Sequence, residues 1–270
     1  MESVKALFIV LMVIAFALVI TYISYGTIGY SPKEEIRPLG EHFVKFTFNE
    51  EEKTWWAASP ETITAALWDY RGLDTVYETT VFYLAVIGCL AIFRLRKPSF
   101  LRELEEKGGV ELTVIVKVVT SIIVAAILLI SIDIALHGHI TPGGGFQAGS
   151  AFAVAPLLLI AAFSRSFLEK LGFKINISHT LRTLGLLIIA FVAILPPLLS
   201  GFILQNQPKP WAAFPGYPVK LGPFELGGSL FYLDIGEYLN VAMGFLAIFL
   251  LISLPESVFK KDMEGVESGA

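Results

Sequence analysis

Two histidines lie beside a proline–glycine turn between two apolar runs, an arrangement that could handle protons or ions. Proline lacks an amide hydrogen and glycine can adopt positive φ, so the backbone can turn tightly and leave amide groups free. Imidazoles titrate near neutral pH. We expect His137 to titrate and His139 to hydrogen-bond the backbone of the turn. The structural motif of the turn comprises His139, Pro142, Gly143, Gly144, Gly145, Phe146 and Gly149.

Carboxylates and one lysine lie within or at the ends of the apolar runs. An ionisable side chain at the centre of a membrane helix costs about 2.5–3.5 kcal/mol, so it needs a partner or a role. Three pairs have a spacing of three or four residues and therefore share a helix face: Asp74 with Glu78, Asp133 with His137, and Asp234 with Glu237. The candidates for ion translocation are Glu78, Asp133, His137, Glu237, Asp74, Asp234 and Lys117.

Structural roles for the same residues stay open. Lys117 could extend its ammonium group to the membrane interface. Asp74 and Asp234 precede helical runs and could be N-caps. Asp133 and Glu237 could be interface residues, and Glu78 could make a static hydrogen bond to another subunit.

Composition places the chain in a membrane. Of its 270 residues, 55% are hydrophobic and 16% charged, and several runs reach the ~20 apolar residues that cross a bilayer. The sequence therefore predicts an all-α polytopic membrane protein with about six transmembrane helices. We expect the first run to be a retained anchor, because it is longer than a signal peptide's apolar region and lacks a small-residue cleavage site. The predicted spans are 4–25, 75–93, 112–136, 146–163, 181–204 and 234–254.

The basic residues predict the orientation. They cluster in the loops after the second and fourth spans, whereas the turn between the third and fourth spans has none. The positive-inside rule then places both termini in the cytoplasm and the turn near the outer face. The two basic clusters are Arg94, Arg96, Lys97, Arg102 and Lys107, and Arg165, Lys170, Lys174 and Arg182.

A charged linker with proline and glycine breakers divides the chain. We expect a two-helix part with an outer segment (1–97), the linker (98–111), a four-helix part (112–258) and a cytoplasmic tail (259–270). The sequence contains no nucleotide-binding or hydrolase motif. With one cysteine and four histidines it offers neither an iron–sulfur nor a structural metal site. We therefore expect a non-catalytic chain without a cofactor or resident metal, with transient Na+ as the exception.

Three segments resemble a known family. Residues 137–149 are similar to the Gly-His-x-x-Pro-Gly-Gly-Gly-Phe-x-x-Gly signature of the B subunit (MnhB/MrpB) of multisubunit Mrp-type sodium/proton antiporters. Residues 233–239 resemble its Phe-Asp-x-Gly-Val-Tyr-Leu segment, with Glu237 at an apolar position. Residues 64–81 are similar to a segment near the C-terminus of the large A subunit (MrpA). That segment forms a separate, MbhE-like subunit in archaeal membrane-bound complexes. The resemblance covers about residues 1–97 and 108–258.

The resemblance implies an accessory subunit of a cation (Na+)/proton translocation module, fused from an A-tail-like and a B-type part. Such subunits occur in Mrp antiporters and in archaeal membrane-bound hydrogenase and sulfane reductase complexes, and the fused layout favours the respiratory assemblies. The resemblance implies a location in the plasma membrane of a prokaryote, and the respiratory assemblies named above are archaeal. The implied partners are antiporter-like membrane subunits, with any iron–sulfur or nickel–iron centres in other chains. Two alternatives stay open, a structural adaptor without an ion path and an independent small-solute transporter.

Overall fold

The protein is predominantly helical in the computed structural model, which describes residues 2–24, 35–49, 51–93, 112–217, 219–221 and 224–254. It divides into two compact units, Met1–Phe43 and Val44–Ala270. The first unit contains helix α1 (Glu2–Ser24), and helix α2 (Pro38–Thr47) begins in it. Within α1, Ile9–Ile23 is apolar but shorter than a span, so the first transmembrane helix stays a prediction.

Five helices of the second unit are long and apolar enough to cross a membrane. A short helix α3 (Thr62–Ala65) and a π-helical segment (Ala66–Tyr70) precede the first of them, and helix α7 (Arg165–Lys170) lies between the third and fourth. The five are α4 (Gly72–Ile92), α5 (Val114–His137), α6 (Gly145–Ala162), α8 (Ile175–Leu198) and α9 (Ser229–Ile252). The polytopic helical fold is thereby confirmed.

One predicted span was misplaced. We expected the fifth span over residues 181–204, and placed Arg182 with the basic residues of the preceding loop region. Helix α8 instead begins at Ile175, and Arg182 lies inside it with 0% of its surface exposed. Arg165, Lys170 and Lys174 lie before α8, and the orientation of the spans stays a prediction.

Helix α9 forms the centre of the unit and packs against α4, α6 and α8, while α5 packs against α6. Its apolar residues contribute to two clusters. In one, Leu246 and Leu250 meet Phe152 of α6. In the other, Leu230 and Leu233 meet Trp68 of the π-helical segment. The charged side chains of α9 are therefore held among packed helices and do not face lipid.

Small residues permit the closest helix contacts. A Cβ atom at Gly149 of α6 would lie 2.7 Å from Cβ of Val241 and 2.9 Å from the backbone N of Ala242 in α9. On the other side of α9, a Cβ at Gly236 would lie 2.8 Å from the carbonyl oxygen of Gly185. Such spacing lets the backbones approach as they do in small-residue membrane interfaces.

The loop between α8 and α9 contains a short hairpin that was not predicted. Strands β1 (Val219–Leu221) and β2 (Phe224–Leu226) pair antiparallel, with Val219 opposite Leu226. The loop joins the same end of the bundle as residues 138–144, which we call the turn end. The predicted linker (98–111) and tail (259–270) lie outside the described residues.

Candidate functional site

The glycine turn at the turn end presents the start of α6 to two carboxylates of α9. Gly144, which precedes α6, has φ +135°, a conformation that side-chain-bearing residues rarely adopt. The next two backbone amides, of Gly145 and Phe146, lie against the carboxylates of Asp234 and Glu237 respectively. The first amides of a helix have no intrahelical acceptor and favour negative charge. The turn therefore supplies free amides, as expected, and directs them at acidic side chains.

A cavity of about 210 Å³ lies beside this turn. Its wall combines backbone and hydroxyl groups with three carboxylates, and α4, α6, α9 and the π-helical segment all contribute. The lining residues are Thr64, Leu67, Trp68, Thr75, Glu78, Gly143, Gly144, Phe146, Gln147, Asp234 and Glu237.

Asp234 is the most buried carboxylate at the cavity, with 1% of its surface exposed. The indole Nε1 of Trp68 donates a hydrogen bond to Oδ1 over 3.2 Å. Oδ2 has no hydrogen-bond partner among the described residues. Because Asp234 lies in the sixth position of α9, the N-cap alternative for it is wrong. A buried acceptor without a donor is costly, so this oxygen is suited to a proton or a cation.

Glu237 lies one turn further along α9 with 6% of its surface exposed. Its carboxylate lies against the side chain of Thr79, and Asp234 and Glu78 are close enough to repel its charge. Two like charges in a poorly solvated site are costly without a counter-charge. Asp234 and Glu237 together therefore favour an exchangeable proton or monovalent cation, while Glu78, which lines the same cavity, is itself exposed.

Asp133 and His137 lie apart from this cavity. On α5, the Nδ1 atom of His137 lies 3.1 Å from Oδ1 of Asp133, and the two side chains are 51% and 72% exposed. Neither residue lines the cavity. The structure thus divides the ion-translocation candidates, because this pair is exposed on α5 whereas Asp234, Glu237 and Glu78 line the cavity. The titrating role of His137 stays a prediction.

The remaining ionisable candidates also lie away from the cavity. Asp74, at the third position of α4, forms an exposed ion pair with Arg71. The N-cap position of α4 is Arg71, so the N-cap alternative for Asp74 is wrong. Lys117 lies in the first turn of α5, about 30 Å along the helix from His137. The snorkelling alternative for Lys117 therefore stays open.

His139 has a packing role that was not expected. Its ring is 3% exposed and makes an edge contact with Phe231 at 5.5 Å between centroids. Neither ring nitrogen has a hydrogen-bond partner among the described residues, so the expected bond to the turn backbone was wrong. The ring is packed against Gly227, and the backbone carbonyl of His139 accepts a hydrogen bond from Ser59 Oγ. Burial, with a smaller effect of His137, lowers the pKa of His139 to about 4.

This burial predicts a pH dependence of stability. The folded protein excludes the proton on His139 until about pH 4, whereas the unfolded chain binds it below about 6.5. Stability should therefore be complete above pH 6.5 and fall as the pH falls toward 4, by about 2 kcal/mol at pH 5. The temperature at which half of the complex has dissociated is measured at pH 7 and at pH 5. Its change between the two pH values should be smaller in a His139→Gln variant than in the wild type. Equal pH dependence in both proteins would contradict this role.

Sequence reasoning missed the contribution of the π-helical segment. Trp68 points from it to Asp234, and its neighbour Asp69 lines two outer pockets of about 410 and 340 Å³. Burial raises the pKa of Asp69 to about 7, although Lys209 and a backbone contact from Asn206 oppose this rise. π-Helical turns occur frequently at functional sites, but no sequence pattern marks them. The segment similar to the A subunit, residues 64–81, was the available signal.

Comparisons with known proteins agree with this architecture. Residues 115–247 match a domain related to the MnhB subunit of Na+/H+ antiporters. The uncharacterized protein MJ1307 of Methanocaldococcus jannaschii is 28% identical over 216 residues, covering 75% of this chain and 80% of that protein. A Staphylococcus aureus protein assigned as antiporter subunit mnhB2 is 30% identical over 99 residues, covering 36% of this chain and 68% of that protein.

Two solved membrane complexes contain chains of similar fold. A chain of the Mrp complex from Dietzia sp. DQ12-45-1b aligns with 93% of this chain at a TM-score of 0.57 and 19% identity. The alignment covers 26% of that chain, so this protein spans about a quarter of its length. A chain of the archaeal membrane-bound sulfane sulfur reductase aligns with 91% of this chain at a TM-score of 0.55 and 22% identity, covering 98% of that chain. At these identities the likeness shows a shared fold.

Proposed function

We propose that this chain, which belongs to the family of MnhB-related Na+/H+ antiporter subunits, is an accessory membrane subunit of a cation- and proton-translocating complex. The observation that carries the proposal is the acidic cavity at the turn end, where Asp234 and Glu237 are buried and Asp234 Oδ2 lacks a donor among the described residues. In this proposal Glu78, Asp234 and Glu237 hold a proton or Na+ on its way to or from a neighbouring subunit.

The cavity supports a joint role for the two predicted parts of the chain. Asn240 of α9 donates a hydrogen bond to the Thr79 carbonyl oxygen of α4 over 3.0 Å, so the parts are also in direct contact. We interpret the first part as the A-tail-like segment fused to the B-type part. Fusion would fix their stoichiometry at the site that they share. The cavity residues come from both: Thr64, Trp68 and Glu78 from 1–97, and Gly144, Asp234 and Glu237 from 112–258.

The assembly that best fits is a respiratory membrane complex of the hydrogenase or sulfane reductase type in an archaeal plasma membrane. The share of the other chain that is aligned supports this choice over a free-standing Mrp antiporter, since it is 98% for the sulfane sulfur reductase chain and 26% for the Mrp chain. Similarity to a Methanocaldococcus jannaschii protein over 75% of the chain also supports it. In such a complex the other membrane subunits are the partners. The redox centres, iron–sulfur or nickel–iron, would belong to partner chains, and this chain would be non-catalytic and hold no cofactor.

An Asp234→Asn variant tests the ion-handling role. The amide oxygen can still accept from Trp68 Nε1, so assembly should persist, while loss of the charge weakens cation or proton binding. Coupled transport should fall about threefold, the effect of weakening one interaction by about 0.7 kcal/mol. Sodium-dependent proton movement in membrane vesicles, normalised to assembled complex, measures the effect. Unchanged transport would favour the adaptor, and transport by the isolated chain would favour an independent transporter.

A further inference from the structure

One buried charge has no part in the proposed ion site. Arg182 lies within α8 with 0% of its surface exposed. Its Nη2 donates to the Tyr83 carbonyl oxygen over 2.7 Å, and its Cζ lies 4.4 Å from the centroid of the Tyr83 ring. The Nε and Nη1 atoms have no hydrogen-bond partner, and no carboxylate pairs with this guanidinium among the described residues. An intramembrane charge of this cost calls for a function.

Arg182 lies just below the acidic cavity, on the side away from the turn end. Thr79, which follows the cavity residue Glu78, accepts a hydrogen bond from Asn240 through its carbonyl oxygen. Tyr83 lies four residues further along α4, which is about one turn or ~5 Å deeper. The hydrogen bond from Arg182 to Tyr83 therefore places the guanidinium one turn beyond the Thr79–Asn240 contact.

Two further buried polar groups lie on the helices beside Arg182. Asn240 Oδ1 of α9 and Ser178 Oγ of α8 are both buried without a hydrogen-bond partner among the described residues. Ser178 lies one turn beyond Arg182 on α8, toward the opposite end of the bundle. A row of polar groups in a membrane interior is a potential route for protons or cations. Arg182 is the fixed positive charge within this row.

We propose that Arg182 closes the inner end of the acidic cavity to cations. The proposal rests on the proposed function, since it assumes that the cavity takes a proton or Na+. An arginine guanidinium keeps its positive charge in proteins and repels a cation strongly where solvent is sparse. Electrostatic barriers of this kind exclude cations and protons from other membrane pores. Cations that enter the cavity then leave sideways toward a neighbouring subunit, and do not cross the bundle of this chain.

The first experiment measures leak through the complete complex. Complexes carrying Arg182→Gln or Arg182→Lys are reconstituted into liposomes without the driving reaction, and passive Na+ and H+ fluxes are recorded. Arg182→Gln should raise the passive flux about tenfold because the charge barrier is gone, while Arg182→Lys should stay within about twofold of the wild type. An assembled Arg182→Gln complex with wild-type leak would overturn the proposal and leave Arg182 as a packing residue.

A second experiment keeps Arg182 in place and so does not depend on how its variants fold. In a Cys89→Ser background, Gln147→Cys marks the cavity wall and Ser178→Cys marks the region beyond Arg182. A membrane-impermeant cationic thiosulfonate is applied to vesicles from the turn end, and labelling of this chain is read by mass spectrometry. The proposal expects labelling at position 147 and none at 178. Labelling at 178 from the turn end would overturn it.

The two proposals can fail separately. If the cavity carboxylates have no role in transport, replacing them by amides leaves coupled transport unchanged. This result does not depend on how large the passive flux through the Arg182→Gln complex is. If only the barrier is absent, those substitutions still impair transport, while either Arg182→Gln shows wild-type leak or Ser178→Cys becomes labelled.

Discussion

Replacement of Glu237 by glutamine should lower sodium- or proton-coupled transport by the assembled complex about tenfold, the effect of losing about 1.4 kcal/mol at one step. The side chain is nearly fully buried, lines the cavity and lies near both Asp234 and Glu78. Glutamine preserves its size and an acceptor oxygen but cannot bind a proton or carry the charge that attracts a cation. Folding should therefore suffer much less than transport.

Glu78→Gln should act in the same direction, because Glu78 lines the same cavity from α4. Asp133→Asn is the matched control, since it removes a carboxylate that is 72% exposed and outside the cavity. Vesicle transport normalised to assembled complex compares the three variants. Loss of transport in Asp133→Asn with normal transport in both glutamate variants would move the ion site to α5.

The spans were predictable because crossing a bilayer requires about 20 apolar residues, and such runs are visible in the sequence. The turn was predictable for a similar reason, since a proline and three glycines between two such runs leave few conformations. Four of the five long helices agree with predicted spans to within about five residues. The exception is α8, which begins and ends about six residues before the predicted span 181–204. It buries Arg182, and that burial depends on neighbouring helices and not on local pattern.

The membership of the cavity could not be predicted from helical spacing. Spacing showed that Asp133 shares a face with His137 and that Asp234 shares one with Glu237, but not which face is turned inward. In a soluble helix the polar face is the solvent face, whereas a membrane helix is apolar on its lipid side and its packed side alike. Only the packing of α4, α6 and α8 around α9 separates Glu237 from Asp133.

Substitution of Gly149 by valine should have the largest effect on assembly. The new Cβ would lie 2.7 Å from Cβ of Val241 and 2.9 Å from the backbone N of Ala242, so α6 and α9 would have to separate. Separation would also displace Gly145 and Phe146, whose amides face Asp234 and Glu237. Overpacking of this kind costs about 1–3 kcal/mol or more, so the amount of assembled complex and its midpoint of thermal dissociation should both fall.

Gly88→Val is the control that isolates the packing effect. Gly88 lies within α4 and Gly149 lies within α6. Because both variants replace a helical glycine by valine, the change in intrinsic helix propensity is the same in each. A Cβ at Gly88 meets no atom within 4 Å, so valine there should leave the dissociation midpoint near that of the wild type. Comparable losses in the two variants would show that valine itself disturbs the helices. A loss confined to Gly149→Val would attribute the effect to the α6–α9 contact. The same contact would then hold in position the amides that face the cavity carboxylates.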